Sequence, residues 1–170
     1  DESLDDVLGD SDAVVSCVGP FYRFGVPVLR AAIRNSVDYL DICDDWEPTL
    51  EMLDLDADAA EAGIVALIGM GASPGVSNLL AVSAAATLDR VERIVTAWSV
   101  GGGTKRSTAD GNENEPSAAV IHWLHQLTGT IRVVTDGALR DVAPLQEQSV
   151  AVPGIGEGRA WTVGHPEALT

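Results

Sequence analysis

The chain has 170 residues, enough for one domain of ordinary size or two small lobes with a sizeable core. With 46% apolar residues it is neither disordered nor fibrous, and two cysteines are too few for a disulfide scaffold. A formal charge of −16 argues against nucleic acid and against an anionic membrane surface as partners, because both require a basic face.

The charge is unevenly spread. Residues 1–61 carry 16 acidic and 3 basic side chains, and the remaining residues 10 and 7. An acidic, lysine-poor chain is read first as a solubility device. The opening stretch Asp1–Asp12 is acidic and lacks an apolar run, so no signal peptide is read there. Residues 62–88 contain no charge, but Gly69, Gly71, Pro74 and Gly75 interrupt them, which argues against a membrane span. A cytoplasmic protein is expected.

In chain order, three β-rich runs come first: Ala13–Val18, Tyr39–Ile42 and Ile64–Ile68. Val26, Leu29, Ala32 and Ile33 form an apolar helical stripe between the first two. Leu50, Leu53, Ala57 and Ala60 form another before the third, with Pro48 at its start and Gly63 as its C′ residue. This alternation predicts right-handed βαβ units and a parallel sheet, with strands buried on both faces. A helix follows over 76–88, with Ser73 as its N-cap and Pro74 at its first position.

Beyond it the pattern changes. Val91–Val100 reads as a strand, 101–116 as a Gly-rich loop and Ala118–Leu127 as a helix. Short strands are expected near Ile131–Thr135, Gln148–Val152 and Arg159–Val163, with turns at Asp136-Gly137 and Pro153-Gly154 that favour antiparallel pairing. The fold class is therefore α/β: a partial doubly wound, Rossmann-like parallel sheet followed by an α+β lobe with a mixed or antiparallel sheet. Residues 1–72 read as the C-terminal part of a dinucleotide-binding domain, and 73–170 as an incomplete substrate-binding and dimerisation domain. Three βαβ strands are few for a doubly wound sheet. With neither terminus looking natural, the chain reads as a piece of a longer protein.

Most local motifs favour plain readings. Gly69-x-Gly71-x-x-x-Gly75 misses the dinucleotide spacing by one position, leaving a helix start suited to a substrate carboxylate or simply a capped helix. Gly101–Thr108 does not satisfy the P-loop pattern; it is either a mobile loop carrying Lys105 or Arg106 to an acidic group or a flexible connection. His122 and His125 share a helix face without a convincing third ligand, so they read as structural histidines and no metal is expected. His165 stands alone. Cys17 and Cys43 each end a buried strand. The turn Ser16–Tyr22 and the segment Ile42–Asp45 both leave the carboxyl edge of the sheet, where doubly wound folds bind ligands.

These residues carry a resemblance. Asp12–Gly25, with Val-Gly-Pro-Phe-Tyr at its centre, and Val37–Ile42 are similar to the saccharopine dehydrogenase-like family of NAD(P)-dependent oxidoreductases, which includes carboxynorspermidine reductases. Ile68–Ala81 resembles that family's crossing from cofactor domain to substrate domain, and Gly164-His-Pro-Glu167 a phrase of its bacterial and archaeal members. The resemblance implies NAD or NADP as cofactor. It implies that the Val18-Gly19-Pro20 turn lies against the nicotinamide ribose, with Cys17 and Phe21 also binding the cofactor, and that Ile42 and Cys43 lie near the ring. Gly75 and Asn78, with Lys105 and Arg106, would face a small-molecule substrate. It also implies a homodimer, with the Gly-rich phosphate loop upstream of Asp1 and the end of the second domain beyond Thr170.

The function expected is hydride transfer at a C–N bond of an amino acid or polyamine precursor, with this chain alone inactive. Two alternatives stand beside it: reduction of a C=C or C=O bond in a lipid-like substrate, and a non-catalytic dimerisation or ligand-binding module.

Overall fold

The computed structural model describes residues 2–99, 118–154 and 156–169. After a first helix, α1 (Glu2–Leu8), the chain builds β1 (Ala13–Ser16), α2 (Phe21–Asn35) and β2 (Asp38–Asp41). Two helices follow, α3 (Trp46–Leu53) and α4 (Asp56–Ala62), and then β3 (Ala66–Leu67). The three strands form a parallel sheet in the order β1-β2-β3, with Ala13 opposite Asp38 and Tyr39 opposite Ala66. This is the βαβ arrangement that the spacing of the apolar runs predicts.

Helix α2 supplies most of the core on one face of the sheet. Leu29, Ala31 and Ala32 are buried against Tyr39 and Val37, and Met52 and Leu55 close the cluster from α3 and the turn after it. Helix α2 stops where Ser36 takes a left-handed conformation (φ 53°) and Val37 N–H returns to the Ala32 carbonyl. Helix α4 ends in the same way at Gly63, as its sequence position predicts.

Two expectations for the first half need correction. The single helix expected between Pro48 and Gly63 is broken at Asp54-Leu55, and the buried positions are Pro48, Thr49, Met52, Leu55 and Ala59. The break turns Leu55 into the core, which a continuous helix with the Leu50–Leu53–Ala57 stripe inward would not do. The strands are also not buried on both faces: Val15 is 64% exposed, and Val65 and Leu67 are open too. Among the described residues no helix covers that face, so the apolar runs are only half used.

The second half begins with α5 (Val76–Ala85), none of whose residues is buried. Ser73 is not its N-cap. Gly75 holds that place at φ 110°, and the Asn78 side chain accepts the Gly75 N–H at 3.1 Å. Residues 91–99 form no strand, since no described strand lies beside them to complete a ladder. Helix α6 (Ala118–Leu127) precedes two antiparallel hairpins: β4 (Ile131–Thr135) with β5 (Ala138–Val142), and β6 (Glu147–Val152) with β7 (Gly156–Trp161). Asp136 and Gly137, both at positive φ, make the tight turn of the first hairpin. A 3-10 turn, Pro166–Ala168, ends the described chain. No described helix is long and apolar enough to cross a membrane.

The carboxyl end of β2 is fixed by a buried acid. Asp41 Oδ1 accepts the N–H groups of Cys43 (2.9 Å) and Gly69 (2.7 Å), and Oδ2 accepts the Tyr39 hydroxyl (2.7 Å). Its own carbonyl accepts Met70 N–H at 2.8 Å. Burial first, and the Asp41 charge beside it, raise the Tyr39 phenol above its ordinary pKa, so the hydroxyl stays a donor. Asp38, on the same strand, bonds Val65 N–H in an exposed position.

Removing the Asp41 carboxylate strands three donors, each costing about 1–3 kcal/mol when unpaired and buried. Asp41→Ala is expected to lose at least about 3 kcal/mol of stability and Asp38→Ala less than about 1 kcal/mol. Urea unfolding of the two variants checks this; equal losses would mean that water replaces the Asp41 carboxylate.

Candidate functional site

The turn after β1, the segment after β2 and the 71–73 turn after β3 all leave the sheet at its carboxyl edge. Together with α6 and the segment around His165 they enclose a cleft of about 540 Å³. Cys17, Gly19, Pro20, Phe21 and Ile42 line it, together with Trp98, Trp123, His122, His165, Asp44 and Asp45. Among the described residues, a Cβ at Gly19 would meet no atom within 4 Å, so the backbone of this turn lies bare of them.

The sequence candidates divide accordingly. Cys17, Gly19, Pro20, Phe21 and Ile42 line the cleft, whereas Val18 is exposed outside it. Cys43 turns inward: its thiol meets the Asp45 carbonyl at 3.5 Å and the Thr49 hydroxyl at 3.6 Å. Burial pushes that thiol up to about 12, so it stays protonated. Gly75 and Asn78 do not line the cleft but hold the turn before α5. A Cβ on Gly75 would overlap the Gly71 carbonyl oxygen and lie 2.7 Å from its nitrogen. Lys105 and Arg106 lie outside the described residues.

The polar floor of the cleft comes from residues that read as structural or isolated in the sequence. His122 Nδ1 lies 2.7 Å from Asp45 Oδ1, and its Nε2 lies 3.2 Å from Asp44 Oδ2 and 2.8 Å from the Gln126 amide nitrogen. Burial opposes a charge on His122. The hydrogen bond to Asp45 and the charges of both aspartates outweigh it and raise its pKa. Burial also raises Asp44, and Asp45 adds to the effect, although His122 pulls the other way.

His165 Nδ1 is bonded to Glu167, whose other oxygen accepts the hydroxyls of Ser73 and of Ser77, the latter at 3.0 Å. Burial would raise Glu167, but the bonds from His165 and Ser73 hold it down at about 2. Gly164 makes this placement possible: a Cβ there would lie 2.7 Å from Ile131 and 3.2 Å from Trp46. Its N–H donates to the Gln126 carbonyl at 3.1 Å, fastening the His165 segment to α6. The sequence signal was the phrase Gly164-His-Pro-Glu167, with a glycine for close approach and an acid two residues after the histidine.

A parallel sheet with a ligand-sized cleft at its carboxyl edge is the architecture of a dinucleotide-binding domain. Residues 1–67 match the family model described as the saccharopine dehydrogenase NADP binding domain. Over 93 residues the chain is 34% identical to the saccharopine dehydrogenase (NADP(+), L-glutamate-forming) of Saccharomyces cerevisiae, covering 55% of this chain and 19% of that protein. Over 43 residues it is 40% identical to the saccharopine dehydrogenase-like oxidoreductases of Mus musculus and Rattus norvegicus, covering 25% of this chain and 10% of each. The chain thus spans a fifth or less of the length of these relatives. Its N-terminal part is similar to the saccharopine dehydrogenase NADP binding domain, and this match supports NAD(P) as the cofactor.

The two thiols provide a direct check on the cleft wall. Cys17 is exposed and Cys43 buried, so iodoacetamide should modify Cys17 alone in the folded chain and both residues in urea. Mass spectrometry reads the sites; comparable native labelling of Cys43 would contradict its packing against Thr49.

Proposed function

We propose that this chain forms the nicotinamide side of an NAD(P)-dependent oxidoreductase that acts on a C–N bond of an amino acid or polyamine precursor. The observation that carries this reading is the bare Gly19 turn in a cleft at the carboxyl edge of a family-typical NADP-binding sheet. Cys17, Gly19, Pro20 and Phe21 would lie along the nicotinamide ribose, with Ile42 against the ring. Val18 and Cys43 belong to the supporting backbone and core. The cofactor, when bound, supplies the hydride chemistry.

The chain's own residues would orient the ring against an apolar wall and hold the substrate opposite, beside Asp44, His122 and His165. The carboxylates of Asp44 and Asp45 favour a substrate carrying an amine, and the similarity to an L-glutamate-forming saccharopine dehydrogenase of yeast points the same way. The aromatic pair Trp98–Trp123, 5.7 Å apart edge to face, favours a second reading in which an apolar substrate is reduced at C=C or C=O. A two-domain division near residue 72, a homodimer and a cytoplasmic location belong to the same proposal.

No G-x-G-x-x-G segment occurs in the 170 residues, so the affinity that such a loop lends the pyrophosphate is not expected here. Binding of NADPH to this chain should be about millimolar. Saturation-transfer NMR is expected to show contact at the nicotinamide and its ribose and little at the adenine. Gly19→Val should abolish the nicotinamide signal while changing stability by less than about 0.5 kcal/mol, because its side chain enters open space. Contact confined to the adenine, or an unchanged nicotinamide signal in a folded Gly19→Val chain, would overturn the placement.

A further inference from the structure

Asp44, His122 and His165 come from three distant parts of the chain, yet one donor atom of each lies within 4.8 Å of the other two. His122 Nε2 and Asp44 Oδ2 are 3.2 Å apart. Two donors on one tetrahedral ion, each about 2.0–2.2 Å from it, stand about 3.3 Å from each other. The pair is already spaced for a shared ion.

The protonation pattern agrees. A carboxylate only accepts, so His122 Nδ1 carries the hydrogen given to Asp45. Nε2 faces both the Gln126 amide nitrogen and Asp44 Oδ2, so with the hydrogen on Nδ1 its lone pair points into the same space as the Asp44 carboxylate. His165 likewise gives its Nδ1 hydrogen to Glu167. Metal-binding imidazoles almost always have a carboxylate or carbonyl behind the non-ligating nitrogen, which fixes the tautomer and strengthens the ligand. Here both histidines have one, held in side chains 7% and 9% exposed.

The charges favour a cation as well. With neutral imidazoles, Asp44, Asp45 and Glu167 leave three negative charges around the floor of the cleft, and the Nε2 lone pair faces a carboxylate oxygen. A single proton between His122 and Asp44 would relieve that contact but make no use of His165. A divalent ion uses all three donors. Gln126, whose buried Oε1 has no hydrogen-bond partner among the described residues, would yield its place at Nε2.

We infer that Asp44, His122 and His165 bind one divalent ion of the zinc class, with Asp45 and Glu167 orienting the two imidazoles from behind. Three protein ligands and one open position characterise catalytic rather than structural zinc sites. The open position faces the cleft that Cys17, Gly19 and Ile42 line, where the ion would take an oxygen or nitrogen donor of the substrate. This inference goes beyond the oxidoreductase reading and is tested without cofactor, so either can fail alone.

The test is titration of the metal-free 170-residue chain with Zn2+, read by calorimetry. One ion per chain is expected. His122→Ala and His165→Ala should each weaken binding at least about a hundredfold, and Asp45→Asn about tenfold to a hundredfold. His125→Ala, which alters an exposed ring stacked on Tyr22, should change nothing. Substitution by Co2+ in the unaltered chain reads the ligand set without any variant, and intense visible bands of a four-coordinate ion are expected. No stoichiometric binding, a weak six-coordinate Co2+ spectrum, or equal weakening by His125→Ala would overturn the site. So would a His122 imidazole NMR titration that added Zn2+ leaves unmoved, which would make the proton its only cation.

Discussion

Everything at the carboxyl edge depends on one buried carboxylate. Asp41 is fully buried at the last position of β2, where a hydrophobic residue would be the ordinary choice. Its oxygens collect the hydroxyl of Tyr39 and the N–H groups of Cys43 and Gly69, three donors that no strand ladder reaches. Hydrogen bonds to a charged acceptor contribute about 1.5–3 kcal/mol each, which offsets the cost of burying the charge only because all three are made. The result is geometric. The chain leaving β2 and the chain leaving β3 are tied to the same side chain, so Ile42 and Gly71 are held together on the rim of the cleft.

The other rim is built by close approach. Gly164 lies against Ile131 and Trp46 where any side chain would overlap them, and Glu167 reaches back to Ser73 and Ser77. The Glu167 bonds span 94 and 90 residues of sequence and join the end of the described chain to the turn before α5 and its first helical residues. Gly75 does the same over a short range, letting the 69–75 backbone fold onto itself. The cleft is thus defined on one side by a charge satisfied in the core and on the other by two positions where a Cβ is excluded.

The sequence made the sheet legible because its signals are local. The order of apolar runs, the C′ glycine at Gly63 and the Asp136-Gly137 turn each depend on a few neighbouring residues, and each stands where it was expected. The carboxyl edge followed from topology, and so did the place of Cys17, Gly19 and Ile42. The cluster of histidines was not legible. His122 acquires its meaning from Asp44 and Asp45, and His165 from Ser73 through Glu167, none of which is near in sequence except Glu167. Asp41 was hidden for a related reason: an acid at a strand end reads as a solvated residue until its donors are seen. The helix expected between Pro48 and Gly63 failed because its periodicity fitted two phases, and core packing selected the one that buries Leu55.

The uneven charge of the chain takes on a local sense at this edge. The N-terminal half carries most of the acid, and Asp41, Asp44 and Asp45 concentrate part of it within the five residues from the end of β2 onward. Three fates follow from burial and partners alone. Asp41 spends its charge on backbone and phenol donors inside the protein. Asp45, 7% exposed, spends it on one imidazole nitrogen. Asp44, at 40% the most open of the three ion-paired groups on this floor, faces the cleft with burial still raising its pKa. A carboxyl held in that state gains most from a positive partner brought in from outside, whether a substrate amine or a metal ion. The acid most open to the cleft is therefore also the one that the fold leaves least satisfied.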